Sequence, residues 1–196
     1  MRRMQTLARI IGTAAVAVAA VALTACGGND DNGSATTSST VAGAQPRAGT
    51  SAAAAPTASH GRECTADDIG VTGGFGQAPT ITIPDNCDPP KQLVTKDLVE
   101  GTGPAAATGQ PVEMNYTLVT WSDKKKLDSS FDRGQTFPLT LGTGEVIQGW
   151  DQGLIGIKQG GRRLLIIPPD LGYGQGGQGV KPNETLVFVT DAVKVG

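Results

Sequence analysis

The chain has 196 residues, with 16 Lys plus Arg against 18 Asp plus Glu, a formal net charge of −2, 28 glycines, 12 prolines, three cysteines and one histidine. So even a balance of charge offers no basic stripe to hold a phosphate backbone by counterion release, and nucleic acid is excluded as an expected partner. One histidine outside any cysteine or carboxylate cluster argues against a metal centre, and no cofactor is expected.

Arg2, Arg3 and Arg9 precede an uncharged, mostly apolar run over residues 10–23, the pattern of a secretory signal and too short to span a bilayer comfortably. It ends in Leu23-Thr24-Ala25-Cys26-Gly27-Gly28, which resembles the bacterial lipobox. On that resemblance residues 1–25 are a lipoprotein signal peptide. Acyl chains such as palmitate on Cys26 would then anchor the chain to the cell membrane of a bacterium, outside the cytoplasm; an ordinary signal peptide with a chance cysteine is the alternative. Several acyl chains anchor stably where one holds only marginally. Residues 26–61 are nearly all small or polar and lack the apolar periodicity that could offset ordering entropy, so a disordered tether is expected, with a reach of roughly 30 Å. His60 falls in this tether and is expected to be a solvated linker residue.

With Cys26 set aside, Cys64 and Cys87 remain, an even number in an exported and oxidising setting, and a disulfide between them is expected. Such a closure stabilises by about 3 kcal/mol in the chain-entropy picture. Between them, residues 75–84 contain a short alternating stretch that reads as a strand or edge hairpin bounded by prolines. Residues 62–90 are therefore expected to form a stapled extension packed on the main domain; a disordered extension with two free thiols is the other reading. Asp88-Pro89-Pro90 marks the junction.

From residue 91 to 196 the pattern is mostly extended. Residues 91–99 alternate as a strand, Glu100-Gly101-Thr102-Gly103-Pro104 turns it, and residues 112–121 form a longer strand. Residues 137–141, 162–167 and 185–195 read as further strands. Only residues 146–155 carry helical spacing, with Val146, Ile147, Trp150 and Leu154 on one face. A short helix against an antiparallel sheet is an α+β architecture.

Leu127-Asp128-Ser129-Ser130, Gly142-x-Gly144-Glu145-Val146-Ile147-x-Gly149-Trp150, Gly160-Gly161-Arg162-Arg163, Pro169-Asp170-Leu171-Gly172-Tyr173-Gly174 and Pro182-Asn183-Glu184-Thr185-Leu186-Val187-Phe188 follow one another over about a hundred residues. In order and spacing they resemble the FKBP-type peptidyl-prolyl cis/trans isomerases. The resemblance implies an antiparallel sheet of five or six strands wrapped around one short helix. It also implies an apolar pocket that receives a proline ring, lined by Tyr116, Phe137, Val146, Ile147, Trp150, Tyr173 and Phe188 with Trp150 as floor. Taken singly, each of these aromatic residues would ordinarily be read as core; together, in the family's motifs, they favour the pocket. Tyr173 would donate its hydroxyl to a substrate carbonyl and the backbone N–H of Ile147 would hold another. Asp128 would border the site and anchor the neighbouring tyrosine or a polarised carbonyl; beside two serines it could also be only a turn-former.

The activity implied is isomerisation of X-Pro bonds in exported proteins that are still folding, by a monomer, without covalent chemistry. A non-catalytic proline-peptide-binding or chaperone module of the same fold is the alternative. Macrolide inhibitors of the family are possible further ligands. Leu127 stands where the family usually has phenylalanine, and the loop over residues 175–181 is shorter than in compact eukaryotic members, so macrolide affinity and substrate choice are expected to differ. Gly174-Gln175-Gly176-Gly177-Gln178-Gly179 spells a dinucleotide fingerprint, but Pro182 and a strand follow where a helix should open, so a glycine-rich loop is expected there. Lys124-Lys125-Lys126 reads as a solvated hairpin tip. The sequons at Asn32, Asn115 and Asn183 carry little meaning in a bacterial chain.

Overall fold

A computed structural model describes residues 59–196. The expected signal peptide, Cys26 and the tether up to residue 58 lie outside the described residues. Two short strands come first, β1 (Gly70–Thr72) and β2 (Thr80–Thr82), paired antiparallel. Then follow β3 (Val94–Val99), β4 (Pro111–Thr120), β5 (Lys126–Ser129), α1 (Ser130–Arg133), β6 (Phe137–Thr140), α2 (Gln148–Gly153), β7 (Arg162–Ile167) and β8 (Leu186–Val195). The last six strands form one antiparallel sheet in the order β3-β7-β8-β4-β5, with β6 also paired to β4. The fold is the α+β arrangement expected. β3 is one edge of the sheet. At the other edge β5 and β6 divide β4 between them, β5 pairing over Thr117–Val119 and β6 over Pro111–Met114.

The sequence reading missed β5, because Lys124–Lys126 looked like the tip of a hairpin rather than the way into a strand. It also drew the helix too long. Val146 and Ile147 precede α2, and Ile147 is extended at φ −60° and ψ 147°. The six-residue helix is short because its role is close approach. Gly149 and Gly153 face the sheet, and a Cβ at either would collide with the side chains of Ile167 and Leu165. Arg163 fixes the far end of α2, donating from Nη1 to the carbonyls of Gly153 (2.9 Å) and Ile155 (3.0 Å) while Nε meets Asp97 at 2.6 Å. A cation at that end also meets the negative pole of the final carbonyls.

Side chains alternate across the sheet, and both faces are covered. The inner face packs Met114, Tyr116, Leu118, Leu165, Ile167, Leu186 and Phe188 against Trp150 and Leu154. The outer face packs Val119, Leu164, Ile166, Val187 and Val189 against Ile69 and Ile83 of the N-terminal extension. Double coverage explains why β7 runs Leu-Leu-Ile-Ile without polar alternation: every residue of the strand is buried.

Cys64 and Cys87 are joined by a disulfide with their Cα atoms 5.1 Å apart, which closes the extension into a loop around the β1–β2 hairpin. A buried ion pair locks this loop to the sheet. Arg162 on β7 and Asp191 on β8 are register partners, 1% and 0% exposed, with Nε and Oδ1 2.5 Å apart. The extension supplies the remaining hydrogen bonds: Arg162 donates to the carbonyls of Gly73 (2.7 Å) and Gln77 (2.6 Å), and the N–H of Gly76 donates to Asp191 (2.7 Å). A pair this deep holds together only when its other donors and acceptors are met. The described chain also begins before the expected boundary at residue 62, since Ser59 Oγ (2.6 Å) and the His60 N–H (2.9 Å) donate to Asp88. Those two bonds, more than the imidazole contact, hold the Asp88 carboxyl down at about 2.

Candidate functional site

The inner face of the sheet does not close completely over α2. Between them lies a hollow of about 380 Å³, bounded by Tyr116, Leu118, Asp128, Phe137, Gly144, Glu145, Val146, Ile147, Trp150, Tyr173, Gln178 and Phe188. All eight positions singled out from the sequence border it. Each arrives by a different route. Tyr116 and Phe188 are inward residues of the paired strands β4 and β8, and Phe137 opens β6 opposite Met114. Trp150 projects from α2, Val146 and Ile147 form the turn before it, and Tyr173 follows the short turn Pro169–Leu171.

The aromatic rings meet edge to face. Tyr116 and Trp150 lie 5.3 Å apart at 86°, Trp150 and Phe188 5.4 Å at 77°, Tyr116 and Phe137 5.9 Å at 83°, and Phe137 and Trp150 5.9 Å at 89°. T-shaped pairs are the favoured geometry for ring quadrupoles and add about 0.5–1.5 kcal/mol each beyond buried area. Here they build a rigid apolar box with Trp150 as its floor, and the buried indole Nε1 of Trp150 has no hydrogen-bond partner among the described residues.

One corner of the box is polar. The Tyr116 hydroxyl donates to Asp128, and Arg133 pairs with the same carboxylate. Arg133 Nη2 also donates to the Tyr116 oxygen at 2.8 Å, and its guanidinium lies 5.5 Å from the centre of the Tyr116 ring. Asp128 is therefore a strand residue that anchors the tyrosine, the first of the roles expected for it, and not a turn-former. The two serines after it have a separate task. Ser130 Oγ accepts from the Tyr116 N–H at 2.9 Å, and Ser129 Oγ lies 3.0 Å from Thr117 Oγ1. They stitch the chain to β4 where α1 interrupts the edge of the sheet.

Besides the Trp150 Nε1 at the floor, two donors at the mouth of the hollow have no internal partner among the described residues. Neither the Tyr173 hydroxyl nor the Ile147 N–H makes a hydrogen bond within the described residues, which leaves both for a guest. The turn that presents Ile147 is itself held: Asp151 accepts from the N–H groups of Gly142 (2.8 Å) and Gly144 (2.9 Å), and Glu145 accepts from that of Thr140 (2.9 Å). The sequence reading overlooked Leu118, Gly144, Glu145, Gln178 and Arg133. Gly144 and Glu145 stood inside a quoted motif, and Leu118 has the inward parity of Tyr116. Arg133 carried no signal, because its place depends on α1 turning the chain back toward β4. The glycine run 174–179 rims the hollow as a loop and leads to β8, not to a helix. The exposed Lys124 pairs with Asp85 of the extension, and Lys126 with Asp132 at 2.6 Å.

The polar corner should be insensitive to pH near neutrality. Burial raises the Asp128 carboxyl, but hydrogen bonds from Tyr116 and Arg133 outweigh it and leave the group below the usual carboxylate range. Burial raises both tyrosines, helped at Tyr116 by the bond to Asp128 and at Tyr173 by its charge. A lowered carboxylate stabilises the fold above its ordinary value near 4 and is lost only as pH falls through its lower folded value; a raised phenol is lost only as pH climbs past about 10. Any activity of this hollow is thus expected to be flat between about pH 5 and 9. A pH–rate profile with a midpoint near neutrality would require a titrating group that the hollow does not contain.

A family model described as FKBP-type peptidyl-prolyl cis-trans isomerase matches residues 103–192. An FK506-binding protein of Streptomyces anulatus is 46% identical over 122 residues, covering 61% of this chain and 98% of that protein. One of Neisseria meningitidis serogroup B is 44% identical over 106 residues, covering 53% of this chain and 95% of its own length. Among solved structures, the crystal structure of AtFKBP13 superimposes with a TM-score of 0.50 at 35% identity, over 53% of this chain and 93% of that one.

Proposed function

The chain belongs to the family of FKBP-type peptidyl-prolyl cis-trans isomerases, and on that premise we propose that the aromatic hollow is the active site, with the proline ring of an X-Pro segment resting on Trp150. The observation that carries this reading is the coincidence of a rigid aromatic box with two unpartnered donors, Tyr173 and Ile147, at its mouth. Rotation about an X-Pro amide is slow because resonance sets a barrier of about 18–20 kcal/mol. In the twisted transition state that resonance is lost, so the carbonyl is less polar than in the ground state. The aromatic floor favours the twisted form, and fixed donors on the flanking carbonyls hold the peptide while it turns. Every step is non-covalent.

The clients we propose are X-Pro segments of exported proteins that are still folding, met by a monomer held at the membrane through lipidated Cys26. Support comes from the signal-like N-terminus ending in the lipobox pattern and from the Cys64–Cys87 disulfide, a bond that belongs to oxidising compartments. Among the described residues no helix is long and apolar enough to cross a membrane. The relatives' common name suggests the macrolide FK506 as a second guest of the same hollow. Leu127, 38% exposed on β5 beside Asp128, is not among the residues that bound the hollow.

The test is NMR exchange on a short X-Pro peptide with and without the full chain. Acceleration is expected, and Asp128→Leu should lower it about tenfold or more, because the Tyr116 hydroxyl and Arg133 lose their acceptor at a cost of about 1–3 kcal/mol. Equal acceleration by parent and variant would place the site elsewhere.

A further inference from the structure

The mechanism leaves one buried ionisable side chain without a task. Glu184 lies just before β8, is 4% exposed, and is met by no ion pair among the described residues. Its carboxyl is held by one residue, Ser122, whose N–H donates to Oε1 (2.8 Å) and whose hydroxyl donates to Oε2 (2.6 Å). Burying a carboxyl without a cation is costly. What it joins is therefore informative.

The β4–β8 ladder ends at the pair Thr120 and Leu186, followed by one more bond from the Trp121 N–H to the Thr185 carbonyl at 3.0 Å. Beyond that point the two chains part, and the Glu184 side chain supplies the acceptor that the next backbone carbonyl no longer reaches. Lys181 adds a second tie between the same segments, to Asp123 (3.2 Å) and to the Ser122 hydroxyl (3.3 Å).

Both segments lead directly into the walls of the hollow. From Ser122 the chain turns through residues 123–125 into β5 and Asp128. From Glu184 it runs back through Val180, buried in the inner core, to the rim that carries Gln178 and Tyr173. That rim is a chain of left-handed residues, with φ between +50° and +136° at Gly174, Gly176, Gly177, Gln178 and Gly179. A backbone so rich in glycine has little stiffness of its own. It also passes close to β5, since a Cβ added at Gly179 would lie 3.7 Å from Leu127 Cδ1.

We infer that Glu184 is a positioning residue: its two-point hold on Ser122 sets the spacing between the β5 wall with Asp128 and the loop wall with Tyr173 and Gln178, and thereby the affinity for the substrate peptide. The inference rests on the isomerase reading of the hollow. Glu184→Ala should weaken binding of an X-Pro peptide about tenfold in an NMR titration of the full chain, while the exchange rate at saturating peptide stays within about threefold. Glu184→Gln keeps an acceptor for the Ser122 N–H and should recover affinity to within about threefold of the parent, with Ser122→Ala falling between. Unfolding midpoints are measured on all four proteins. Should Glu184→Ala fail to fold, the Gln and Ser122 variants carry the comparison. Unchanged affinity in Glu184→Ala with a lowered midpoint would reduce Glu184 to a structural brace, and a Gln variant as weak as the Ala one would also overturn the inference. A parent chain that does not accelerate exchange would sink the isomerase reading as well; an active parent confines any failure to Glu184.

Discussion

A chain cut to begin at Lys91 is expected to lose most of its stability, although it would keep every strand of the six-stranded sheet. The cut uncovers the outer face, where Leu164, Ile166, Val187 and Val189 pack against Ile69 and Ile83. It also strips three hydrogen bonds from the Arg162–Asp191 pair. Hydrogen bonds to charged groups contribute about 1.5–3 kcal/mol each, less whatever water restores, and each large aliphatic side chain returned to water adds about 1.5–3 kcal/mol. Small domains have only about 5–15 kcal/mol in total, so the cut chain should be largely unfolded at room temperature. Denaturant titration of the two lengths decides it. Equal midpoints would mean that the extension merely rests on the sheet.

Trp150→Ala should be the most damaging single substitution within the hollow. It removes the floor against which Tyr116, Phe137 and Phe188 pack edge to face, and deletion of a buried tryptophan costs about 3–5 kcal/mol. Exchange catalysis should fall further than stability alone accounts for, since the residue would touch the proline ring. Trp150→Phe sharpens the comparison. It keeps an aromatic floor and discards an indole Nε1 that has no partner among the described residues, so its loss of stability should be clearly smaller than that of the Ala variant. A Phe variant as unstable as the Ala one would show that the shape of the indole, not its aromatic surface, supports the box.

Much of this was legible in the chain because the relevant signals are local. Runs of extended, apolar-rich sequence placed β4, β6, β7 and β8 to within a residue or two at either end, and with Cys26 set aside only two cysteines were left to pair. Eight of the twelve residues bounding the hollow were reached, and only through family resemblance, since in periodicity alone Phe188 or Trp150 reads as core. What escaped depends on contacts distant in sequence. β5 is a strand because β4 has a free edge there, and Arg133 reaches Asp128 and Tyr116 only after α1 reverses the chain. The helix was drawn long because Val146 and Ile147 have the spacing of a helical face, yet they belong to a turn held by Asp151. One available clue went unread. Leu164-Leu165-Ile166-Ile167 is an unbroken apolar run, which in an antiparallel sheet means cover on both sides and should have assigned the extension its place.

The edges of the sheet bear on how such a protein survives its own work. In the role proposed above the chain would meet unfinished proteins whose exposed strands seek a partner, and an open sheet edge is a template for them. β3 presents Lys96 and Asp97 along one edge. At the other, β5 carries Lys126 and Asp128 and β6 contains Pro138, which has no N–H to offer. Charge and proline at these positions deter an arriving strand from annealing to the sheet, so encounters with the clients proposed above would end in release.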